Sequence, residues 1–210
     1  NCRGLRAGAI VVDCCGIKHE ICRLGFELAQ QHGFIFIGGH PMAGLERFGF
    51  EASKANLFLH ASMVLTPEIG VSLEALEQSK EFFLSLGFGR ITIATPEEHD
   101  RVIAYTSQLA HLLSSAYVKS DTAFLHSGIS AGSFRDMTRV ATLQPEMWGE
   151  LFLHNRDPLL QELDGLITRL GEYRQAIAAN QRAELLRLLD EGRSRKAEVD
   201  NFTTAGQNRK

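Results

Sequence analysis

The sequence predicts a chain that starts as an α/β domain and ends as an all-α one, and three observations carry that expectation. Short apolar, β-branched runs alternate with stretches of helical period up to residue 95. Gly or Pro stands at most junctions between them, where an element has to stop. Beyond residue 95 no segment reads as a strand, and the apolar residues keep helical spacing. The expected organisation is a sheet-bearing domain over residues 1–95 and a helical domain over 96–210.

Each element follows from its own residues. Ala9-Ile10-Val11-Val12-Asp13 is an apolar run ending in an acid, as in a parallel strand covered on both faces. Ile17, Ile21, Leu24 and Leu28 recur at helical spacing, and Gly33 ends that helix. Phe34-Ile35-Phe36-Ile37 is the next strand, and the β-α-β order implies a right-handed crossover and a parallel sheet. Ser62 to Thr66 forms a third strand stopped by Pro67. Leu73, Leu76, Phe83 and Leu84 mark a helix broken by Gly87 and Gly89, and Arg90 to Ala94 forms a fourth strand. Thr95, Pro96, Glu97 and Glu98 spell a helix start, with an N-cap, a proline in the first turn and negative charge beside the free N–H groups. Leu159, Leu163, Leu166, Leu170, Tyr173 and Ile177 make a heptad stripe, which suits either a partner helix of the same chain or a dimer seam. The last ten residues are polar and expected to fray.

Composition excludes several classes of function. With 44% hydrophobic and 22% charged residues, the 210-residue chain has the balance of a globular protein able to bury a core. A net charge of -3 without a basic block argues against nucleic acid or an anionic membrane as partner. No apolar run approaches the ~20 residues of a bilayer span, and the N-terminus lacks the layout of a signal peptide. Cys2, Cys14, Cys15 and Cys22 lack the paired spacing of a zinc site, so no metal is expected, and as reduced thiols they place the protein in the cytoplasm. The chain opens on Asn1 and enters an apolar run within nine residues, so upstream sequence is expected to be missing.

Four clusters could carry chemistry. Gly38-Gly39-His40-Pro41-Met42-Ala43-Gly44 places an imidazole between small residues at the end of the Phe34 to Ile37 strand. Open α/β sheets gather their chemistry at the carboxyl ends of strands. Glycine lets a ligand come close to the backbone, and Pro41 stiffens the turn expected to hold the ring. Asp13-Cys14-Cys15-Gly16-Ile17-Lys18 leads from a strand end into a helix N-terminus, which is either an anion or cofactor site or a plain β-α turn. Glu97-Glu98-His99-Asp100 and Ser107 to His111 fall in one expected helix that puts Ser107 and His111 on one face; each histidine, taken alone, reads as a hydrogen-bonded surface residue. The stretch from Gly128 to Arg139 runs from small residues into Arg135-Asp136-Met137-Thr138-Arg139. A guanidinium there can hold a carboxylate bidentately, or Asp136 and Arg139 can pair at the surface.

Taken together and in this order, the clusters resemble the prephenate dehydrogenase family, which includes the arogenate dehydrogenases of tyrosine biosynthesis. The matching pieces are Asp13 to Lys18, Gly38 to Gly49, Leu57-Phe58 with Leu65-Thr66-Pro67, Glu98-His99-Asp100, Ser107 to His111, and Ser133 to Ala141 with Pro145 to Trp148. The resemblance implies an oxidative decarboxylation in which NAD or NADP takes a hydride, the ring carboxylate leaves as carbon dioxide and the ring becomes aromatic. In that reading His40 is the catalytic residue that bonds the 4-hydroxyl of prephenate, and Arg139 holds a substrate carboxylate. His111 and Glu46 line the substrate cleft, while Asp13, Cys14, Gly16 and Pro41 face the cofactor. Two positions depart from the family: Gly16 stands where many members carry Ser, and Gln108 where the family often has His. The implied fold is the second half of a Rossmann-type domain, without its glycine-rich first half, followed by a helical domain that forms a homodimer. Arogenate is the alternative substrate, and a non-catalytic helical dimerisation fragment is the alternative from another class.

Overall fold

The computed structural model describes residues 2–44 and 49–207. Its centre is a four-stranded sheet in the order β1 (Ile10–Val12), β2 (Ile35–Met42), β3 (Ser62–Pro67), β4 (Arg90–Ile93). β1 and β2 are parallel, with Ile10 opposite Ile35, and β3 and β4 are parallel, with Ser62 opposite Arg90. The middle pair corrects the expectation of a wholly parallel sheet, because β2 and β3 are antiparallel, with His40 opposite Val64. Parallel neighbours need a long crossover. Helix α1 (His19–His32) supplies one between β1 and β2, and α2 (Leu73–Ser85) supplies one between β3 and β4. Between β2 and β3 the described residues hold only a single 3-10 turn, Phe50–Ala52, and the chain doubles back.

Alternation along β2 divides the core between the two faces of the sheet. Phe36 packs with Phe34, Cys22 and Ala29 of the α1 side, whereas Ile37 packs with Met63, Leu65, Phe83 and Phe88. Ile37, Met63 and Leu65 are fully buried. Truncating Leu65 to Ala costs about 2–5 kcal/mol on the usual scale for buried leucines.

Helix termini explain how the later helices are fastened to the sheet. Thr95 and Glu98 form the capping box of α3 (Pro96–Ile103): the Thr95 hydroxyl accepts from Glu98 N–H at 3.1 Å, and the Glu98 carboxylate accepts from Thr95 N–H at 3.0 Å. Helix α1 has no side-chain cap from its own N-cap residue. Asp100 of α3 caps it instead, accepting from Lys18 N–H at 2.7 Å and His19 N–H at 2.8 Å. The helix begun by α3 runs through a π-helical turn, Ala104–Leu109, into α4 (Ala110–Tyr117).

Four further helices follow: α5 (Gly132–Thr138), α6 (Pro145–His154), α7 (Arg156–Ala178) and α8 (Arg182–Gln207). Among the described residues no strand lies beyond β4. A buried polar knot joins the π turn to the end of α6. Asn155 donates to the Asp100 carbonyl at 2.9 Å and to Gln108 Oε1 at 2.7 Å, and Gln108 donates to the Leu151 carbonyl at 3.2 Å. The chain divides into two compact units, Asn1–Leu160 and Gln161–Lys210. Within the second, Ala176 of α7 and Leu188 of α8 are buried, and the Tyr173 hydroxyl donates to the Leu188 carbonyl at 3.0 Å. From the heptad stripe Leu170 and Ile177 remain 52% and 63% exposed.

Candidate active site

His40 lies inside β2, not in a turn beyond it, so the expected end of that strand is corrected by five residues, from Ile37 to Met42. Pairing with β3 holds the Gly-Gly-His-Pro stretch extended, against its turn-like composition. β1 pairs with β2 only as far as Ile37, so one edge of β2 is open where Pro41 lacks an N–H. The glycines before His40 serve close packing. A Cβ on Gly38 would overlap Thr66 Oγ1 and Cys22 Sγ, and one on Gly39 would overlap the carbonyl oxygen of Asp13. The turn after β1 is thereby pressed directly against β2.

Asp13 organises that turn. Its carboxylate accepts from Gly39 N–H at 2.9 Å and Cys15 N–H at 2.8 Å, and it pairs with the ammonium of Lys18, whose side chain is completely buried. The acid is thus consumed by three donors of its own chain. Cys14 and Cys15 are free and exposed. Partial burial first, and then the charge of Asp13, push both thiols above their ordinary value, so they stay protonated at neutral pH. Gly16 faces His40 across the turn: a Cβ there would stand 4.0 Å from His40 Nε2 and 3.4 Å from Leu151 Cδ2 of α6.

Behind the ring is a chain of polar contacts through His99 and Asp100. His40 Nδ1 lies 2.8 Å from His99 Nε2, and His99 Nδ1 lies 2.7 Å from Asp100 Oδ1. His99 and Asp100 are only 4% and 3% exposed, so the expectation of a surface histidine is corrected for His99. One signal was available. From the Thr95 cap, helical period places His99 and Asp100 on the face of Ile103 and Ala104, and a buried polar pair on that face must find partners. Burial chiefly, with the electrostatic influence of the neighbouring His99 ring and of the Lys18 ammonium, pushes His40 down to about 4. Burial alone would raise the Asp100 carboxyl, but bonds from His99, His19 and Lys18 outweigh it and hold the group below its ordinary value.

The other expected site residues lie on the later helices. His111 of α4 places Nδ1 2.8 Å from the Ser107 carbonyl and stacks on Trp148 of α6 with ring centroids 4.2 Å apart. The bond to a carbonyl makes Nδ1 the protonated nitrogen of that ring. Helix α6 therefore offers Trp148 to His111 and Leu151 to Gly16. Arg139 is exposed at the C-terminal end of α5, which is tied to α4 by the Ser114 hydroxyl donating to the Met137 carbonyl at 2.7 Å. Gln108 is absorbed by its bonds to Asn155 and Leu151. Glu46 falls outside the described residues. Among the described residues no group of three or more His, Cys, Asp or Glu is arranged to hold a metal ion.

Comparison with known proteins places this geometry. Residues 2–93 match the profile described as prephenate dehydrogenase, nucleotide-binding domain, and residues 95–191 match that described as prephenate dehydrogenase, dimerization domain. Prephenate dehydrogenase of Bacillus subtilis is 34% identical over 88% of this chain and 50% of its own length. Cyclohexadienyl dehydrogenase of Zymomonas mobilis is 33% identical over 83% of this chain and 61% of its own. The chain thus spans between half and two thirds of the length of these curated relatives. Among solved structures, prephenate dehydrogenase from A. aeolicus in complex with hydroxyphenyl propionate and NAD+ superposes with a TM-score of 0.74 at 30% identity, covering 91% of this chain and 67% of that one. Synechocystis arogenate dehydrogenase superposes with a TM-score of 0.72 at 31% identity, covering 91% and 69%. With both domain profiles matched in sequence order and the fold shared, the chain belongs to the prephenate dehydrogenase family.

Proposed function

We propose that the protein carrying this chain is an NAD(P)-dependent prephenate dehydrogenase of tyrosine biosynthesis, oxidatively decarboxylating prephenate to 4-hydroxyphenylpyruvate. The observation that carries the reading is His40, half-buried, held neutral at physiological pH and presenting Nε2 toward the open side of Gly16. A neutral imidazole with a free ring nitrogen is a proton acceptor. The functional division falls near residue 95, in keeping with the two profiles that match on either side of it.

The turn from Asp13 to Gly16, with Pro41 beside His40, is suited to hold the nicotinamide side of the cofactor, because Gly16 leaves the space in front of His40 Nε2 free of a side chain. The cofactor, NAD or NADP, supplies the hydride acceptor when bound. His40 Nε2 takes the proton of the 4-hydroxyl as the hydrogen on the same carbon leaves as hydride; the ring carboxylate departs as carbon dioxide, its bonding electrons complete the aromatic ring, and the proton returns from His40 to the phenolate oxygen. Arg139 pairs with a substrate carboxylate, and His111 and Glu46 line the cleft. Aromatisation drives the reaction forward, so the protein's part is to orient the groups and to take up and return one proton.

The test is to incubate the full-length gene product with prephenate and either NAD or NADP. Equal amounts of reduced cofactor and 4-hydroxyphenylpyruvate are expected, and absence of both products overturns the reading. Arogenate is the second substrate to assay in parallel, on the ground of the 31% identical Synechocystis enzyme. Faster turnover of arogenate than of prephenate would reassign the substrate within the same chemistry. The protein works as a homodimer of the cytoplasm in this reading. Support comes from the dimerization-domain profile, from Phe124 and Ile129, which are 87% and 88% exposed, and from the free cysteines. Sedimentation equilibrium giving a monomer mass would remove the dimer.

A further inference from the structure

We propose that His99, backed by Asp100, is a positioning residue that fixes the tautomer of His40, turning Nδ1–H inward and leaving the Nε2 lone pair facing the Gly16 side. The inference rests on the prephenate dehydrogenase reading for its catalytic consequence, and on geometry alone for the tautomer. Asp100 is where the assignment starts. Its Oδ1 accepts from Lys18 N–H at 2.7 Å and its Oδ2 from His19 N–H at 2.8 Å, so the carboxylate is locked over the start of α1. His99 Nδ1 meets Oδ1 of that locked acceptor at 2.7 Å and must therefore carry a proton. In the neutral ring the other nitrogen, Nε2, is then an acceptor. It lies 2.8 Å from His40 Nδ1, which must donate to it. With Nδ1 protonated, neutral His40 has its lone pair on Nε2, the nitrogen 4.0 Å from the place of a Gly16 Cβ.

The arrangement does two things for a base. It removes the tautomer in which Nε2–H would face the substrate hydroxyl and could accept nothing. It also lets the Asp100 carboxylate, hydrogen-bonded to His99, stabilise the His40 ring when that ring becomes positive. When the substrate O–H bond breaks, its proton passes to His40 Nε2, and the imidazolium so formed has an acceptor waiting at Nδ1. The logic is that of a base oriented by a neighbour in a hydrolase triad, with one more imidazole in the line. Lys18 and Asp13, on the turn packed against the same ring, form a buried pair with each other. Asp100 is the anion joined to His40 through this line of hydrogen bonds.

Imidazole 15N NMR of the substrate-free protein, with histidine signals assigned by substitution, reads the tautomer without any turnover. The expected spectrum has His40 with Nδ1 protonated and Nε2 bare. A protonated Nε2 in the wild type overturns the proposal, whatever the substrate proves to be. In the full-length gene product His99→Phe should mix the two His40 tautomers and lower kcat roughly 100-fold with KM within about threefold. His99→Gln, whose amide carbonyl can accept from Nδ1–H, should restore a large part of that loss. Unchanged kcat and an unmixed tautomer in His99→Phe, or no better turnover in His99→Gln than in His99→Phe, also overturn it. Should prephenate and arogenate both fail as substrates while the NMR result stands, the functional reading fails and the tautomer assignment survives.

Discussion

The corner around His40 and the end of α5 that carries Arg139 differ in how far their functional groups stand out into solvent. At the corner, β1, β2, α1 and α3 converge, and each polar group is tied to another. Asp13 holds the turn, Asp100 caps α1, and His99 spans from Asp100 to His40. Arg139 stands exposed at the end of a seven-residue helix. A group that must receive a proton at one atom gains from rigidity and from exclusion of water. A group that captures a charged substrate gains from exposure, and a guanidinium at a helix end has it. The proposed function uses that difference, with chemistry at the corner and capture on α5.

Breaking the corner should cost the most. Lys18→Ala leaves the Asp13 carboxylate without its buried cation and is expected to lower stability by about 3–5 kcal/mol in urea unfolding. A loss below about 1 kcal/mol would mean that the pair does not hold the turn. The next effect comes from pH. His40 binds its proton near pH 6.5 as a free side chain and near 4 in the fold, so between those values the unfolded chain holds more protons and stability falls as the medium is acidified. The expected loss between neutral pH and pH 4 is about 3 kcal/mol from this group. It continues below that as Asp100, held under its ordinary value, is protonated. Stability measured by unfolding across that range should fall more steeply with acidification in wild type than in His40→Asn, and equal slopes would contradict the assignment.

The helical side sharpens the comparison with smaller effects. Arg139→Ala should raise KM for prephenate by roughly 30-fold, a loss of about 2 kcal/mol in binding a carboxylate, with a much smaller change in kcat. A mutant that loses kcat instead would move Arg139 into the chemical step. Gly16→Ser meets Leu151 Cδ2 at 3.4 Å, an ordinary contact, and should leave stability within about 0.5 kcal/mol. A larger shift in the unfolding midpoint would mean that this position is packed more tightly than the distance implies.

Local signals were legible in the sequence, and contacts between distant residues were not. Thr95, Pro96 and Glu98 announced a helix start that the structure builds as a full capping box. The run Ile10 to Val12 and the period from Ile21 to Leu28 announced a strand and its crossover helix. His40 itself was found, but its Gly and Pro neighbours suggested a turn, because the pairing that keeps them extended comes from Met63 and Val64 on another strand. The antiparallel step from β2 to β3 was hidden for the same reason, since strand direction depends on the path of the connection. His99 meets His40 across 59 residues, and Asp100 caps Lys18 across 82. Spacing along a helix can say that such groups are buried, and only the fold says what they meet.

The central claim is that His40 receives the proton of the substrate hydroxyl. Its most direct test is steady-state turnover of prephenate by the full-length gene product, wild type against His40→Asn, at saturating cofactor. The account predicts that kcat falls by about three powers of ten, within the range for loss of a general base, while KM changes by no more than about threefold. Wild-type kcat in His40→Asn would contradict it.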